Sequence, residues 1–449
     1  MLRTIQISAC LVLGIANGSA YLTLAQTPPD KARILVSDNK TIDTGNSSSP
    51  LVEPQLVAHP TNPKHLLGGF IIASRQPFAD TQDCAAIVSF DGGQTWSVHA
   101  FRLKRCGDPW VALRGDGQAV FTALAGTEGQ VAYQSADGGR TWSSEPISFG
   151  RGTDHPTLTV DRTNGKFAGS FYMLTNRSAR TKSGNVTFPI VLSRSSDGGK
   201  TFSKPNLFLP SNLNMNPLTP AVLSDGSVAV AFIDLRRSGD HGSEGGRLER
   251  RRAWMLLSED GGLSFSPPMF ISEQCGSGRG FPSMIVDNGS PKFRDRLYFL
   301  CISSEADIVL VHHSADRGEK WSEAVRVNSG TEANPSRRTP SIAVNKDGLV
   351  GVTWYDRRND PDRKCQDIYF SASLDGGRTF LPEVRVSDSR SCPDTPKNGE
   401  TAKRWSGGGD YSGLAAASDG KFHVLWADSR SGVYQLMTAQ VDVKVSSAN

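Results

Sequence analysis

Short apolar runs recur along the chain, each closed off by Gly, Pro or Asp, as in Pro156-Thr-Leu-Thr-Val160, Phe422-His-Val-Leu-Trp426 and Glu383-Val-Arg-Val-Ser-Asp388. Alternation with a period of two sends successive side chains to opposite faces, so these runs predict short β-strands joined by tight turns. The runs are ordered. A segment opening near Pro comes first (Pro54, Pro109, Pro156, Pro220, Pro282, Pro340), then two further β-rich segments, then an octapeptide Ser-x-Asp-x-Gly-x-Thr/Ser-Trp/Phe, then a fourth strand such as Ala324-Val-Arg-Val-Asn328.

The octapeptide occurs six times, beginning at Ser89, Ser135, Ser195, Ser258, Ser314 and Ser373. In such a turn the Asp carboxylate can accept hydrogen bonds from turn amides and hydroxyls, while Gly supplies positive φ without steric cost. The Asp residues (Asp91, Asp137, Asp197, Asp260, Asp316, Asp375) are therefore expected to organise turns rather than react. The fifth copy departs from the pattern, with Arg317 after the Asp and Lys320 in the hydroxyl position. A seventh unit begins at Tyr411-Ser-Gly-Leu-Ala415 and has neither an octapeptide nor a fourth strand. Arg33-Ile-Leu-Val-Ser-Asp38 reads almost identically to the strand ending at Asp388 and can supply that strand. The expectation is an all-β propeller of four-stranded blades, seven in number with six as the alternative, whose N-terminal strand closes the last blade and removes the open edge.

Composition fits this reading, with 45 Gly, 25 Pro and 37% hydrophobic residues among 449. Arg3, the apolar run Ile5 to Ile15 and the small residues near Ala25 predict a secretory leader over residues 1–26, followed by one domain over 27–449. The apolar run is too short for the ~20 residues of a membrane span. The expected location is secreted, periplasmic or extracellular. Six cysteines follow the leader and allow 15 pairings. Their places in the blade grammar predict Cys84 with Cys106, Cys275 with Cys301, and Cys365 with Cys392. A net charge of +4 spread along the chain asks for neither nucleic acid nor a membrane surface. Runs such as Glu249-Arg-Arg-Arg252 read as solvated loops, no phosphate loop or zinc pattern is present, and a monomer without cofactor or metal is expected.

The octapeptides resemble the Asp-box, or bacterial neuraminidase repeat, of the sialidase-like propeller superfamily, over nearly the whole chain beyond the leader. In sialidases the resemblance implies three arginines on the substrate carboxylate, a Tyr nucleophile paired with Glu, and an Asp acid/base. A neutral Tyr suits a reacting carbon that bears a carboxylate, and Arg forks match a planar carboxylate. Where the superfamily's Arg-Ile-Pro is expected, Val52-Glu53-Pro54 stands; the closest echo is Arg338-Thr-Pro340.

In an up-and-down blade the octapeptides lie on one face, and the connections before first strands and after second strands lie on the other. That second face collects Asp108, Asp154-His155, Arg279, Arg338, Asp410 and Tyr411, together with Asp234-Leu-Arg236, Tyr355-Asp356-Arg357 and Asp428-Ser-Arg430. Two functions stay open. One is a sialidase-type glycoside hydrolase acting on acidic glycans, with Tyr411 or Tyr355 as nucleophile, Asp108 or Asp154 as proton donor, and Arg279, Arg338, Arg357, Arg430 and Asp410 binding substrate. The other is a non-catalytic propeller holding a glycan, glycoconjugate or protein. His155 is expected in a turn role, and the Asp-x-Arg clusters in salt bridges or loop capping.

Overall fold

The computed structural model describes residues 32–445 except 127, 181–183, 185, 208–214, 238–247, 276–280, 304–307 and 330–336, and the side chains of 207, 215 and 235–251 are likewise not described. The leader expected over 1–26 and the candidate Arg279 lie outside the described residues.

Seven antiparallel sheets follow one another in chain order, over 51–100, 107–150, 153–207, 215–272, 283–326, 337–385 and 413–445. Each is a four-stranded meander. In the first, Leu51–Ala58, Leu66–Ile72, Asp83–Ser89 and Ser97–Ala100 pair in sequence from the channel outward. The seventh takes its outer strand from the other end of the chain: Ala32–Val36 pairs antiparallel with Gln435–Val445, from Ala32 opposite Val445 to Val36 opposite Val441. The seven-bladed count and the closure by the N-terminal strand therefore both hold. In the fourth blade the inner strand is split into Met215–Pro217 and Ala221–Val222, where prolines cannot donate to the ladder. The one helix among the described residues is short, Glu400–Arg404, and it is tied down by the Glu400 amide donating to the Arg75 carbonyl at 3.0 Å.

The apolar core lies in layers between blades. Leu67 and Val88 of the first blade pack with Val111 and Phe121 of the second, and Tyr298 and Leu300 of the fifth with Ile342 and Trp354 of the sixth. The octapeptides lock the outer turn of the first six blades. Thr95 Oγ1 donates to Asp91 Oδ2 at 2.6 Å, Thr95 N to Asp91 Oδ1 at 2.9 Å, and Gly93 N to Ser89 Oγ at 2.8 Å. The same bonds recur around Asp137, Asp197, Asp260 and Asp375. The aspartates are turn organisers.

Disulfides join Cys84 to Cys106, Cys275 to Cys301 and Cys365 to Cys392, with Cα separations of 5.7, 5.5 and 4.1 Å. These are the pairings the blade grammar predicts, and they fit an oxidising compartment. No helix among the described residues is long and apolar enough to cross a membrane.

Candidate functional site

In four of the inner strands the ladder slips by a β-bulge just before a proline: between Val52 and Gln55, Gly107 and Trp110, Asp154 and Thr157, and Arg338 and Ser341. The residue preceding each proline carries positive φ: Glu53 56°, Asp108 49°, His155 60° and Thr339 51°. Proline has no amide to pair, so the strand yields there, and the bulge re-aims a side chain that regular alternation would have sent into the sheet face. A non-glycine residue in this region costs free energy, and such strain gathers where surroundings hold a functional side chain in place.

Three of the four bulges open onto one cleft of about 650 Å³ at the channel entrance, on the face opposite the octapeptides. Glu53, Asp108, Asp154, His155 and Asp410 line it, with Phe78, Phe281 and Trp405 as apolar walls and Arg105, Arg151 and Arg404 at its sides. Beneath its floor lies Tyr411, 7% exposed, whose hydroxyl donates to Asp108 Oδ1 at 3.0 Å and stands 3.1 and 3.2 Å from the two ring nitrogens of His155. Phe281 packs on His155 at 3.8 Å between ring centroids, and Trp110 meets Tyr411 edge-on at 5.1 Å. Arg404 pairs with Asp410 at 3.1 Å, and the Asp410 amide donates to Glu53 Oε1 at 3.3 Å.

Burial governs the electrostatics. The Glu53 carboxyl is pushed well above the usual range by burial and then by the nearby Asp410 and Asp108 carboxylates. Asp108 is raised by burial first, with His155 opposing and Asp154 and Asp410 adding to the rise. Burial and the carboxylates of Asp108, Glu53 and Asp410 hold the Tyr411 phenol far above its ordinary value, so it stays protonated at rest. Metal-binding capacity is present too: Asp108, Asp154 and His155 each bring a donor atom within 4.8 Å of the others.

The BNR/Asp-box repeat family matches residues 87–98, the first octapeptide, whose bonding pattern recurs in four of the other five copies. The chain is a seven-bladed β-propeller that carries the Asp-box turn. No curated protein matches its sequence significantly. Among solved structures, the propeller is similar to a polysaccharide lyase of family PL25, an ulvan lyase bound to -[GlcA(1-4)Rha3S]-. The identity is 11% and the TM-score 0.53, with 89% of this chain and 95% of that one covered. It is also similar to a protein of unknown function from Dyadobacter fermentans, at 13% identity and TM-score 0.51, covering 92% and 99% of the two chains. A Hadza microbial sialidase, Hz136, aligns at 16% identity and TM-score 0.47, over 81% of this chain and 74% of that one.

Of the residues singled out in the sequence, the propeller brings Asp108, Asp154, Asp410 and Tyr411 together. It leaves the others elsewhere. Tyr355 is 1% exposed and its hydroxyl is used up between the amide and carbonyl of Ala427, a joint between the sixth and seventh blades. Arg357 donates to the carbonyls of Arg363 and Ser406, and Arg430 pairs with Asp428 at 2.9 Å and with Asp388. Arg338 is half-buried beside the Gly407 segment and does not line the cleft. None of these three guanidinium groups lines the cleft. The Asp-x-Arg motifs of the sixth and seventh blades do act as architecture: Trp354 Nε1 and Arg358 both donate to Asp356, and Trp426 Nε1 and Arg430 both donate to Asp428.

The sequence reading passed over Glu53, Arg404 and the aromatic walls, and it gave His155 a turn role, whereas the structure puts that ring in the cleft. One signal was available: Glu53, Asp108, His155 and Thr339 share the pre-proline position in equivalent strands.

Proposed function

We propose that this propeller cleaves a glycan carrying an acidic sugar in the channel-entrance cleft, and that Tyr411 is the reacting group. One observation carries the reading: the hydroxyl of a buried tyrosine lies within hydrogen-bond distance of both a carboxylate and an imidazole under a concave, aromatic-walled cleft, an arrangement blade packing does not require. The phenol is neutral at rest and so does not repel a sugar carboxylate. Tyr411 Oη bonds to the sugar carbon as its proton passes to Asp108, a carboxylate made more basic by burial. The bond from that carbon to the leaving oxygen breaks as Glu53, held protonated, protonates that oxygen. Water, giving its proton to Glu53, then breaks the tyrosyl bond, and Tyr411 recovers its proton from Asp108. The aromatic walls give apolar sugar faces a surface to lie on. The fold agrees with this reading, since the similar ulvan lyase holds an acidic glycan.

Tyr411→Phe removes only the hydroxyl. Against a panel of fluorogenic glycosides and acidic polysaccharides, the wild-type protein is expected to release product. The variant is expected to lose about 100-fold or more in kcat/KM while melting within a few degrees of wild type. Undiminished turnover by the variant would remove Tyr411 from the reaction. A second outcome is informative because of the Tyr411–His155 contact: a base beside an acid also suits β-elimination from a uronic acid, and an unsaturated, ultraviolet-absorbing product would mark the protein as a lyase rather than a hydrolase.

A further inference from the structure

Four carboxyl groups, those of Glu53, Asp108, Asp154 and Asp410, line one cleft; of the three guanidinium groups beside them Arg404 is taken by Asp410 and Arg105 by Asp80, which leaves Arg151 to face the acids. So many acids beside a single remaining guanidinium are a poor place for an acidic sugar unless a further positive charge enters. The geometry says where. Asp108 uses Oδ1 for Tyr411, leaving Oδ2 turned toward His155 Nδ1 at 3.9 Å, too long for a hydrogen bond. Two ligands on one tetrahedral ion with bonds near 2.0–2.1 Å stand roughly 3.4 Å apart, so a shift of a few tenths of an ångström would let one ion span this gap. Asp154 lies next to His155 on the same bulge, and all three donor atoms lie within 4.8 Å of one another.

A second observation, independent of that triad, points to a ligand here. Glu53 is 2% exposed, and although its Oε1 accepts from the Asp410 amide, its Oε2 has no hydrogen-bond partner while the residue lines the same cleft. A buried carboxyl oxygen left without a hydrogen-bond partner is costly, and a protonated carboxyl so placed is the kind of group that holds an ion's bound water.

We propose that Asp108, Asp154 and His155 bind one divalent transition-metal ion, of the Zn²⁺ or Mn²⁺ class, with Glu53 facing the ion's remaining positions and Tyr411 fixing the Asp108 ligand from behind. Two carboxylates and an imidazole are the donor set such ions favour, and three protein ligands leave positions open. As to role, the inference rests on the glycan reading above: the ion would hold the acidic sugar's carboxylate, a task for which none of Arg338, Arg357 and Arg430 lines the cleft.

The test is titration calorimetry of the chelator-treated, full-length protein with Zn²⁺, Mn²⁺ and Ca²⁺, with elemental analysis after dialysis. Expected is one Zn²⁺ or Mn²⁺ per chain, bound at least about tenfold more weakly by Asp154→Asn and by His155→Asn, the latter chosen because Asn tolerates positive φ. Tyr411→Phe should still take up the ion even as glycan turnover is lost. Absence of stoichiometric uptake, or uptake unchanged in both ligand variants while they melt as wild type does, overturns the proposal. Glycan cleavage by metal-free protein would overturn the ion's role and leave the Tyr411 reading standing, and stoichiometric uptake without cleavage of any glycan would do the reverse.

Discussion

At the residue scale, the same local event, a pre-proline residue forced to positive φ, delivers Glu53, Asp108 and His155 to one cleft, and in the sixth blade it delivers Thr339. The event is architectural and the residue type at each position decides its use. Asp108, Asp154, Asp410 and Tyr411 could be placed from sequence because position in the blade grammar fixes the face. The arginines could not, because sequence does not say whether a guanidinium reaches the channel or folds back on its own blade, as Arg430 does on Asp428. Two histidines outside the cleft set an acid limit. Burial, with Arg296 and Arg378 nearby, pushes His313 down to about 4, and burial pushes His423, 2% exposed, down to about 4. Both must stay neutral in the fold, while in the unfolded chain they protonate near 6.5. Their stabilising effect is therefore complete above about pH 6.5 and is lost as pH falls from there toward 4. Urea midpoints should drop between pH 7 and pH 5, and His423→Gln should show a shallower drop; an equal drop would clear His423 of the effect.

At the element scale, the octapeptide was legible because its key bonds are local: those that its Asp carboxylate and Ser hydroxyl make lie within their own turn. The fifth copy tests this. Lys320 donates its amide to Asp316 Oδ1 at 2.9 Å but brings no hydroxyl, whereas the other copies bond the second carboxylate oxygen at 2.5–2.6 Å. Lys320→Thr should restore that bond and raise the stability of the propeller by about 0.5–1 kcal/mol, read as a shift in denaturant midpoint at constant slope. No gain would mean that the exposed hydroxyl exchanges water for carboxylate at no net benefit. Less legible were the split inner strand of the fourth blade and the helix Glu400–Arg404, which carries the cleft's Arg404. The helix is held by long-range bonds to Ser74 and Arg75 rather than by any capping signal of its own.

At the scale of the whole molecule, the core is a set of layers between neighbouring blades, so each blade depends on the next and the seventh depends on the first strand. Deleting residues 32–36 would uncover the edge of Gln435–Val445 and should lower the melting temperature by several degrees with increased aggregation; unchanged melting and solubility would show that blade seven holds with three strands. The closure also imposes an order in time. Ala32 is among the first described residues to be synthesised, and its partner Val445 is among the last. Until that partner arrives the ring is a chain of finished blades with a seam, and its waiting strand exposes Ile34 and Val36, which later pack into the seventh-blade core. Docking across so long a separation in sequence is a slow event, set by loop closure rather than by blade formation. Transplanting the strand to follow Val445 would let every blade form from neighbouring sequence, so the seam would be sealed in the same moment that the last blade appears.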